Sequence, residues 1–484
     1  MFTILLYRER CEFKVEILRA YRAAGYGAAA DKSMIGRVSA VNIWLAILGF
    51  ATMILITVVL LKKKMNILLA FTVIPVIAGF IAMVITHTAF LDMGKWITSG
   101  IGKTYSITLM MMFSLPYFML MSDTGLFDDI VKAVMRHVKI SAPIICVLTV
   151  IVACICELDG SVTSVFLITV PLMLPLFEKF HIDKRILPFL VCVAILVMSN
   201  TPWNPKILRA ASLMSGSGVS TRLFLKYVPV QIFMLVVLLI LAVYFGIRAR
   251  KNTTEKVEIS NEDLLSQFKD TELTRHNRFW WNLLLTAFLI FVLIAFQGIP
   301  QYYVFAFGLV VALAINFPDQ GQQTKLLKKY ASSLFPVAPA VLLSGVVVGV
   351  MQESGMLDAM VKALMAIVPS AIGPYFYIII ALFATPLMLL FTNDTWFYAL
   401  IPLIGAFSAK YGVPMDVVIV TLFSNFGAMI SVIAQPQLYI ATDLTGITID
   451  QHIKFTFWKL WAINIIIVAF GVLSGVFLPK PLWA

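Results

Sequence analysis

Charge is scarce in this chain. Asp, Glu, Lys and Arg make up 13% of its 484 residues, against 61% hydrophobic residues. A water-soluble domain carries about a quarter charged residues, so this composition excludes one and fits an all-α polytopic membrane protein. Histidine is also rare: His87, His137, His181, His276 and His452 stand apart, and no HExxH pattern places two on one helix face. The five cysteines are Cys11, Cys146, Cys154, Cys156 and Cys192. Four lie in apolar runs, none has zinc-type spacing, and Cys154-Ile-Cys156 is too close for a CxxC redox pair, so they read as small apolar fillers. No His or Cys nucleophile pair and no metal triad falls in the apolar stretches, which leaves an enzyme without a catalytic set and gives no reason to expect a tightly bound cofactor. The net charge of +12 comes from basic residues in loops between apolar runs. That is the placement a lipid bilayer imposes, so no nucleic-acid partner is needed to explain it.

What the chain does contain is an acid inside two long apolar stretches. CELDGSVTSVF surrounds Asp159, and LFTNDTWFY surrounds Asp394. The segments leading into them match as well: GLFDDIVKAV from Gly125 and GMLDAMVKAL from Gly355 share Gly, Asp, Val, Lys and Ala in register, Asp128 answering Asp358 and Lys132 answering Lys362. An ionisable side chain at membrane depth is costly unless it is used. Two of them at corresponding points of two halves, each inside an interrupted helix, point to the substrate site of a secondary transporter.

Ten stretches have the length and apolarity of full spans: Val41–Leu61, Met65–Thr86, Tyr105–Met121, Ile186–Ser212 and Leu223–Ile247, then Phe279–Phe296, Tyr302–Phe317, Leu334–Met351, Met415–Thr442 and Phe455–Leu478. Ala142–Phe177 and Ile372–Phe407 are too long for one span, and each is cut by a polar tip. Their shorter arms reach only about 20–24 Å at 1.5 Å per residue, so both are expected to be re-entrant hairpins. A re-entrant hairpin returns to its own side. Each half then crosses five times, and an odd count turns the second half upside down, giving two inverted repeats of five spans plus one hairpin each. The expected divisions are an N-terminal extension over 1–40, a first repeat over 41–247, a linker over 248–278, a second repeat over 279–478 and a tail over 479–484. The extension shows no signal-peptide pattern. It reads either as an interfacial amphipathic helix or as sequence upstream of a start at Met34.

Basic residues gather on one side: Lys62 to Lys64, Lys132, Arg136, Lys139, Lys179, Lys184, Arg185, the loop from Arg248 to Arg278, and Lys325, Lys328 and Lys329. That side is expected to be cytoplasmic, in a plasma (inner) membrane, with both termini outside, the Asp159 hairpin entering from the cytoplasm and the Asp394 hairpin from outside. The mixed charge of the linker predicts a solvated connector.

Each hairpin is followed by a span with its own interruption. Ile186–Ser212 contains Ser199-Asn200-Thr201-Pro202-Trp203-Asn204-Pro205-Lys206, where two prolines remove amide donors and force a break. Met415–Thr442 carries Ser424, Asn425, Gly427, Ser431 and Gln435-Pro436-Gln437. Two tips and two breaks give four polar nodes in an apolar protein. The candidate binding residues are Asp159, Gly160, Ser161 and Thr163 at the first tip, and Ser199, Asn200, Thr201, Asn204 and Arg209 at the first break. Asn393, Asp394 and Thr395 follow at the second tip, and Asn425, Ser431 and Gln435 at the second break. Half-helix N-termini at such breaks suit a carboxylate, and loose carbonyls suit a cation. Arg209 offers a bidentate contact to a carboxylate, although both it and Lys206 could instead snorkel to the interface. Glu157 and Glu353 are weaker candidates.

With these residues in hand, the chain resembles the citrate–metal:proton symporter family of the ion transporter superfamily. The resemblance covers almost everything after Val41. It rests on AILGFATMILI, DTGLFDDIVK, LDG followed by TSVFLITVPLMLPLF, MSNTPW with RAAS after it, SGMLDAMVKALMAIVPSAIGP and TNDTWFYALIPLI, in that order. It implies inverted repeats, paired hairpins, a transport domain moving against a scaffold that often dimerises, and symport of a tricarboxylate, usually complexed with a divalent cation, driven by protons. Asp159, Arg209, Asn393, Asp394 and Ser431 fall on matching motif positions. The departures lie at the site: Ser161 replaces the second acid of the family's LDGDG, Trp203-Asn204-Pro205 replaces PWGG, and Val432 replaces the proline after Ser431. One fewer carboxylate weakens the case for a metal-complexed substrate, since a divalent ion prefers several hard oxygens.

The reading is a secondary transporter of a di- or tricarboxylate, citrate first, by cation symport. The coupling ion is expected to be a proton, with Na⁺ as the alternative, and a divalent cation could travel with the substrate. The lipid bilayer and the carboxylate are the expected partners, and a homodimer is an assembly the resemblance allows. The alternative function is a cation:proton antiporter of the same superfamily.

Overall fold

A computed structural model describes residues 28–136, 141–216, 218–250, 270–296, 298–335, 337–432 and 434–480. Most of the N-terminal extension, most of the linker, Lys139 and the end of the tail lie outside the described residues. Those described are helical, with no strand among them.

The first half runs through α1 (Ala28–Leu61), α2 (Ile67–Thr86), α3 (Asp92–Asp123) and the short α4 (Leu126–Arg136). The Asp159 hairpin follows as α5 (Ala142–Cys156) and α6 (Val162–Lys179). The broken span is α7 (Ile186–Met198) and α8 (Pro205–Ala211), and α9 (Val219–Arg250) ends the half. The second half brings α10 (Phe279–Ala295), α11 (Gln301–Asn316), α12 (Gln320–Leu334), α13 (Ala338–Glu353) and the short α14 (Met356–Ile367). The Asp394 hairpin then has a fragmented inward arm that includes α15 (Phe376–Leu382). Its outward arm joins Asn393–Thr395, a π-helical turn over Trp396–Leu400 and α16 (Ile401–Ala409). The second broken span is α17 (Met415–Leu422), a 3₁₀ turn over Phe426–Met429 and α18 (Leu438–Thr445), and α19 (Ile449–Leu473) closes the described chain. The same order of hairpin, broken span and long helix thus occurs in both halves.

Several sequence expectations shift. Eight helices among the described residues are long and apolar enough to cross a membrane. They include both arms of the Asp159 hairpin, Ala142–Asp159 and Val162–Lys179, at 18 residues each. Eighteen residues reach about 27 Å, so length alone does not make that hairpin re-entrant. The two interrupted spans fall short of the count because their helices really stop. The span expected over Tyr105–Met121 is the 32-residue α3, which starts at Asp92. Gly100 and Gly102 and two lysines lowered the hydropathy there without breaking the helix. Gly100 serves packing instead: a side chain on it would collide with the carbonyl oxygen of Gly345 on α13. Thr104 completes this crossing by donating to the Leu342 carbonyl at 3.0 Å.

The stretch before Ala338 was not expected to be a separate helix. α12 is capped by Asp319, whose carboxylate accepts from the Gln322 amide at 2.8 Å. Lys329 and Tyr330 of α12 both reach Asp123 at the end of α3, each at 2.7 Å. The end of the linker is also more than a solvated connector. The Arg275 amide donates to the Thr124 carbonyl at 2.9 Å, and the His276 ring lies between Asp129 and Asp270. These contacts fasten the start of the second half to the end of α3 and to α4.

Candidate functional site

The two tips and two breaks meet around one cavity of about 590 Å³. Its lining includes Asp159, Gly160, Ser161, Thr163, Ser199, Asn204, Arg209, Asn393, Asp394, Asn425 and Gln435, so residues from all four nodes face it. That volume falls within the range typical of small-molecule sites.

The first tip is built by local chemistry. Glu157–Asp159 form one 3₁₀ turn after α5, and Gly160 takes a left-handed φ of 74° that a side chain would strain. A Cβ there would also lie 3.1 Å from the Pro205 ring, so the tip packs directly on the first break. Asp159 accepts from the Ser161 amide at 2.7 Å, and Ser161 caps α6 by accepting from the Ser164 amide at 3.3 Å. The break is held to the tip in return. Trp203 donates its indole N–H to the Leu158 carbonyl at 2.9 Å, and its ring stacks on Phe118 of α3 with centroids 4.8 Å apart. Asn204 caps α8 by accepting from the Lys206 amide at 2.9 Å, and Pro205 takes the first helical position, where a missing N–H costs nothing.

The second tip repeats the logic with other residues. Thr392 and Thr395 form a reciprocal capping box at its start. Asn393 donates to the Ala434 carbonyl at 2.9 Å and to the Gln435 side chain at 3.0 Å, tying this tip to the second break. Trp396 donates to the Leu422 carbonyl at 3.1 Å, a carbonyl freed where α17 stops. Gly427 of the break lies against the Thr385 carbonyl of the hairpin so closely that a side chain would not fit. The π-turn after Asp394 is a feature that recurs at functional sites.

At the cavity an ion pair joins the halves, as Lys226–Asp416 and Lys329–Asp123 do elsewhere. Arg209 Nε donates to Asp394 Oδ1 at 3.0 Å, with the side chains 19% and 25% exposed. Arg209 therefore does not snorkel away. In this structure its Nε meets a carboxylate of the protein, on the cavity wall.

Four candidates do not line the cavity. Asn200 is fully buried and donates back to the Leu196 carbonyl at 2.9 Å, closing the end of α7. Thr201 is buried beside it. Thr395 is occupied by its capping box, and Ser431 accepts from the Ala434 amide at 3.2 Å. Asn200, Thr201 and Ser431 belong to the breaks and Thr395 to the second tip, behind the residues that line the cavity. Two residues that sequence reasoning ranked low or left aside do line the cavity. Glu157 is 1% exposed, and its Oε1 accepts from Ser199 at 3.1 Å and Asn204 at 3.0 Å, while Oε2 has no partner. Lys206 is 9% exposed and donates to the Phe423 carbonyl at 3.0 Å. The signal for both was present: each is one more ionisable group at membrane depth, beside a residue already singled out. The acid expected after Gly160 is absent, but Glu157 supplies a second carboxylate before it.

Comparison with known proteins fits this site. The profile of the citrate transporter family matches residues 34–382. The chain belongs to the citrate transporter family. The match ends before the Asp394 tip, but full-length relatives extend past it. The chain is 29% identical over 437 residues to the Mg(2+)/citrate complex secondary transporter of Bacillus subtilis (strain 168), covering 89% of this chain and 98% of the relative. It is 27% identical over 427 residues to the citrate transporter of the same organism, covering 88% and 97%. The family consists of transporters, so the chain is a multi-pass membrane transporter and not an enzyme.

Proposed function

We propose that this member of the family is a secondary active transporter that binds citrate in the cavity and moves it together with a coupling cation, a proton in the first instance. The observation that carries the reading is the meeting of both tips and both breaks around one cavity that holds carboxylates, cationic side chains and amide groups together. The N-terminus of the 18-residue α6 points its free amides and partial positive charge toward a bound anion, beside Thr163 and Ser164. Arg209 supplies a planar guanidinium for a second carboxylate once Asp394 yields it. Asp159 and Glu157 lie two residues apart on one tip and offer the oxygens for a proton or metal ion. The presence of Glu157 restores the second acid that a Mg²⁺–citrate complex would favour, so that complex is the preferred form of the substrate.

In the same reading, the two halves are inverted repeats bounded at 41–247 and 279–478. The hairpins enter from opposite faces of the plasma membrane, with both termini outside. The test is uptake of labelled citrate into proteoliposomes under an imposed pH gradient, with Mg²⁺, Ca²⁺ or neither. Accumulation that needs the gradient and rises several-fold with Mg²⁺ is expected. Citrate equilibration without accumulation would remove the coupled reading, and equal uptake with and without metal would assign free citrate as the substrate.

A further inference from the structure

The segment GLFDDIVKAV, one of the two matching lead-in segments, adds nothing to the cavity lining. In the structure it is the seat of the linker's end. Gly125 takes a left-handed φ of 83°, and a Cβ on it would lie 3.0 Å from the Thr274 methyl. Arg275 donates its amide to the Thr124 carbonyl at 2.9 Å and its Nε to the Asn316 carbonyl at 3.3 Å. Its guanidinium also lies over the Phe317 ring, 4.7 Å from the centroid. These contacts set His276 against the first turn of α4. Its Nδ1 lies 2.8 Å from Asp129, and its Nε2 lies 3.0 Å from Asp270.

A ring held between two carboxylates needs a proton on each nitrogen. A neutral imidazole has one N–H, so it would donate to one carboxylate and turn a bare nitrogen to the other. The imidazolium donates to both. The bond to Asp129 first, and that to Asp270 next, hold the pKa of the ring above its usual value. The ring is 42% exposed, so it exchanges protons with the water at that face. The charged groups around it are Asp128, Asp129 and Lys132 on α4, and Asp270, Glu272, Arg275 and Arg278 at the linker's end. Lys132 lies 3.7 Å from Asp270, while Arg275 is turned to the carbonyls of Glu272, Thr274 and Asn316. Asp123 of α3 is held by Lys329 and Tyr330. Once the ring is neutral, the aspartates on the two sides of this joint repel one another. The joint also bears on the site, because α4 is the helix that precedes α5, the inward arm of the Asp159 hairpin.

We propose that His276 is a proton-operated latch. Charged, it clamps the linker's end to α4 and fixes the footing of the Asp159 hairpin; at alkaline pH on that face it lets go. The stability it adds is fully present below the ring's ordinary pKa of about 6.5 and is lost as pH rises through the higher folded value. The test follows thermal unfolding of the purified full-length protein between about pH 6 and about pH 9. Wild type is expected to melt about 1–2 °C above His276→Gln at the acid end, and the margin should vanish at the alkaline end. His276→Arg carries a permanent cation between the same carboxylates and should keep its margin over His276→Gln throughout. Asp129→Asn is the second variant should the glutamine form not fold. It leaves one carboxylate, which a neutral ring satisfies, so the wild-type margin over it should fade in the same way. A margin that does not change with pH, or an arginine form that loses its margin, overturns the proposal. The footing is tested by citrate counterflow at equal pH on both faces. The wild-type rate should exceed that of His276→Gln by about twofold or more at the acid end and match it at the alkaline end. Equal rates at both ends also overturn the proposal. No counterflow by wild type would strike the proposed function instead, and the melting comparison, which uses no citrate, would then decide the latch by itself.

Discussion

Replacing Asp394 by asparagine should tighten citrate binding while destroying coupled transport. In the structure Arg209 Nε holds Asp394 Oδ1 at 3.0 Å, linking the first break to the second tip. A substrate carboxylate that uses Arg209 must displace this partner. The bare attraction of two unit charges at that separation is about 5 kcal/mol at an effective dielectric of about 20. Desolvation, and the exposure of roughly a fifth to a quarter of each side chain, reduce the net contribution to about 1.5–3 kcal/mol, as for other hydrogen bonds to charged groups. Asparagine keeps the shape and a weak acceptor but loses the charge. The dissociation constant for citrate in detergent, read by calorimetry, should fall by up to roughly 10- to 150-fold. Uphill accumulation in proteoliposomes should vanish, because the carboxylate that alternates with substrate at Arg209 is gone. A folded Asp394→Asn protein that binds citrate no more tightly than wild type would refute the competition. One that still accumulates citrate normally would remove Asp394 from the coupling.

Arg209→Lys keeps the charge but not the two-pronged donor, so citrate affinity should weaken by roughly 10- to 150-fold; an unchanged half-saturation concentration would reduce the residue to an anchor. Single cysteines at Ser141 and Lys179, flanking the Asp159 hairpin, should label from one side of the membrane only, and those at Ser370 and Lys410 from the other. Labelling of Ser141 and Lys179 from opposite faces would mean that this stretch crosses the membrane an odd number of times and that the halves are not related by inversion. Gly100→Val should lower the melting temperature by several degrees, since its side chain has to displace the α13 backbone at Gly345 and overpacking typically costs about 1–3 kcal/mol. A wild-type melting curve would show that this crossing has slack.

The fold was legible wherever apolar runs and prolines act alone. Polar tips at Asp159 and Asp394 and the Pro202/Pro205 pair marked the hairpins and the first break, because at membrane depth a missing amide or a charge has no other cheap explanation. The sequence misled where glycine has two physical meanings. The span expected from Tyr105 left Gly100 and Gly102 outside it. In the folded chain the helix runs through both, and the absent side chain at Gly100 lets two backbones approach. α12 was missed for a related reason: with the sequence QGQQTKLLKKYASSL its charge read as a loop, while tertiary contacts from Lys329 and Tyr330 to Asp123 hold it.

Within the site, a one-dimensional reading cannot tell a residue that lines a cavity from one that builds its wall. Asn200 and Ser431 carry the same kind of polar group as Asn204 and Gln435. They differ in which carbonyl or amide the broken backbone leaves within reach. Asn200 turns back on α7, whereas Asn204 donates to Glu157 and faces the cavity. Charge is the more dependable guide, because desolvating an ion is expensive enough that geometry has to answer it. Every acid or base placed inside the two tips and at the two breaks, Glu157, Asp159, Lys206, Arg209 and Asp394, lines the same cavity. Glu157 was a weaker candidate and Lys206 was left between the cavity and the membrane interface; the cost of burial puts both on the cavity wall. That cost argues that all five belong to one electrostatic unit. The Lys206 and Arg209 bonds to Phe423 and Asp394 hold the two halves together across the cavity, and a substrate or ion that loosens either bond changes how the halves fit.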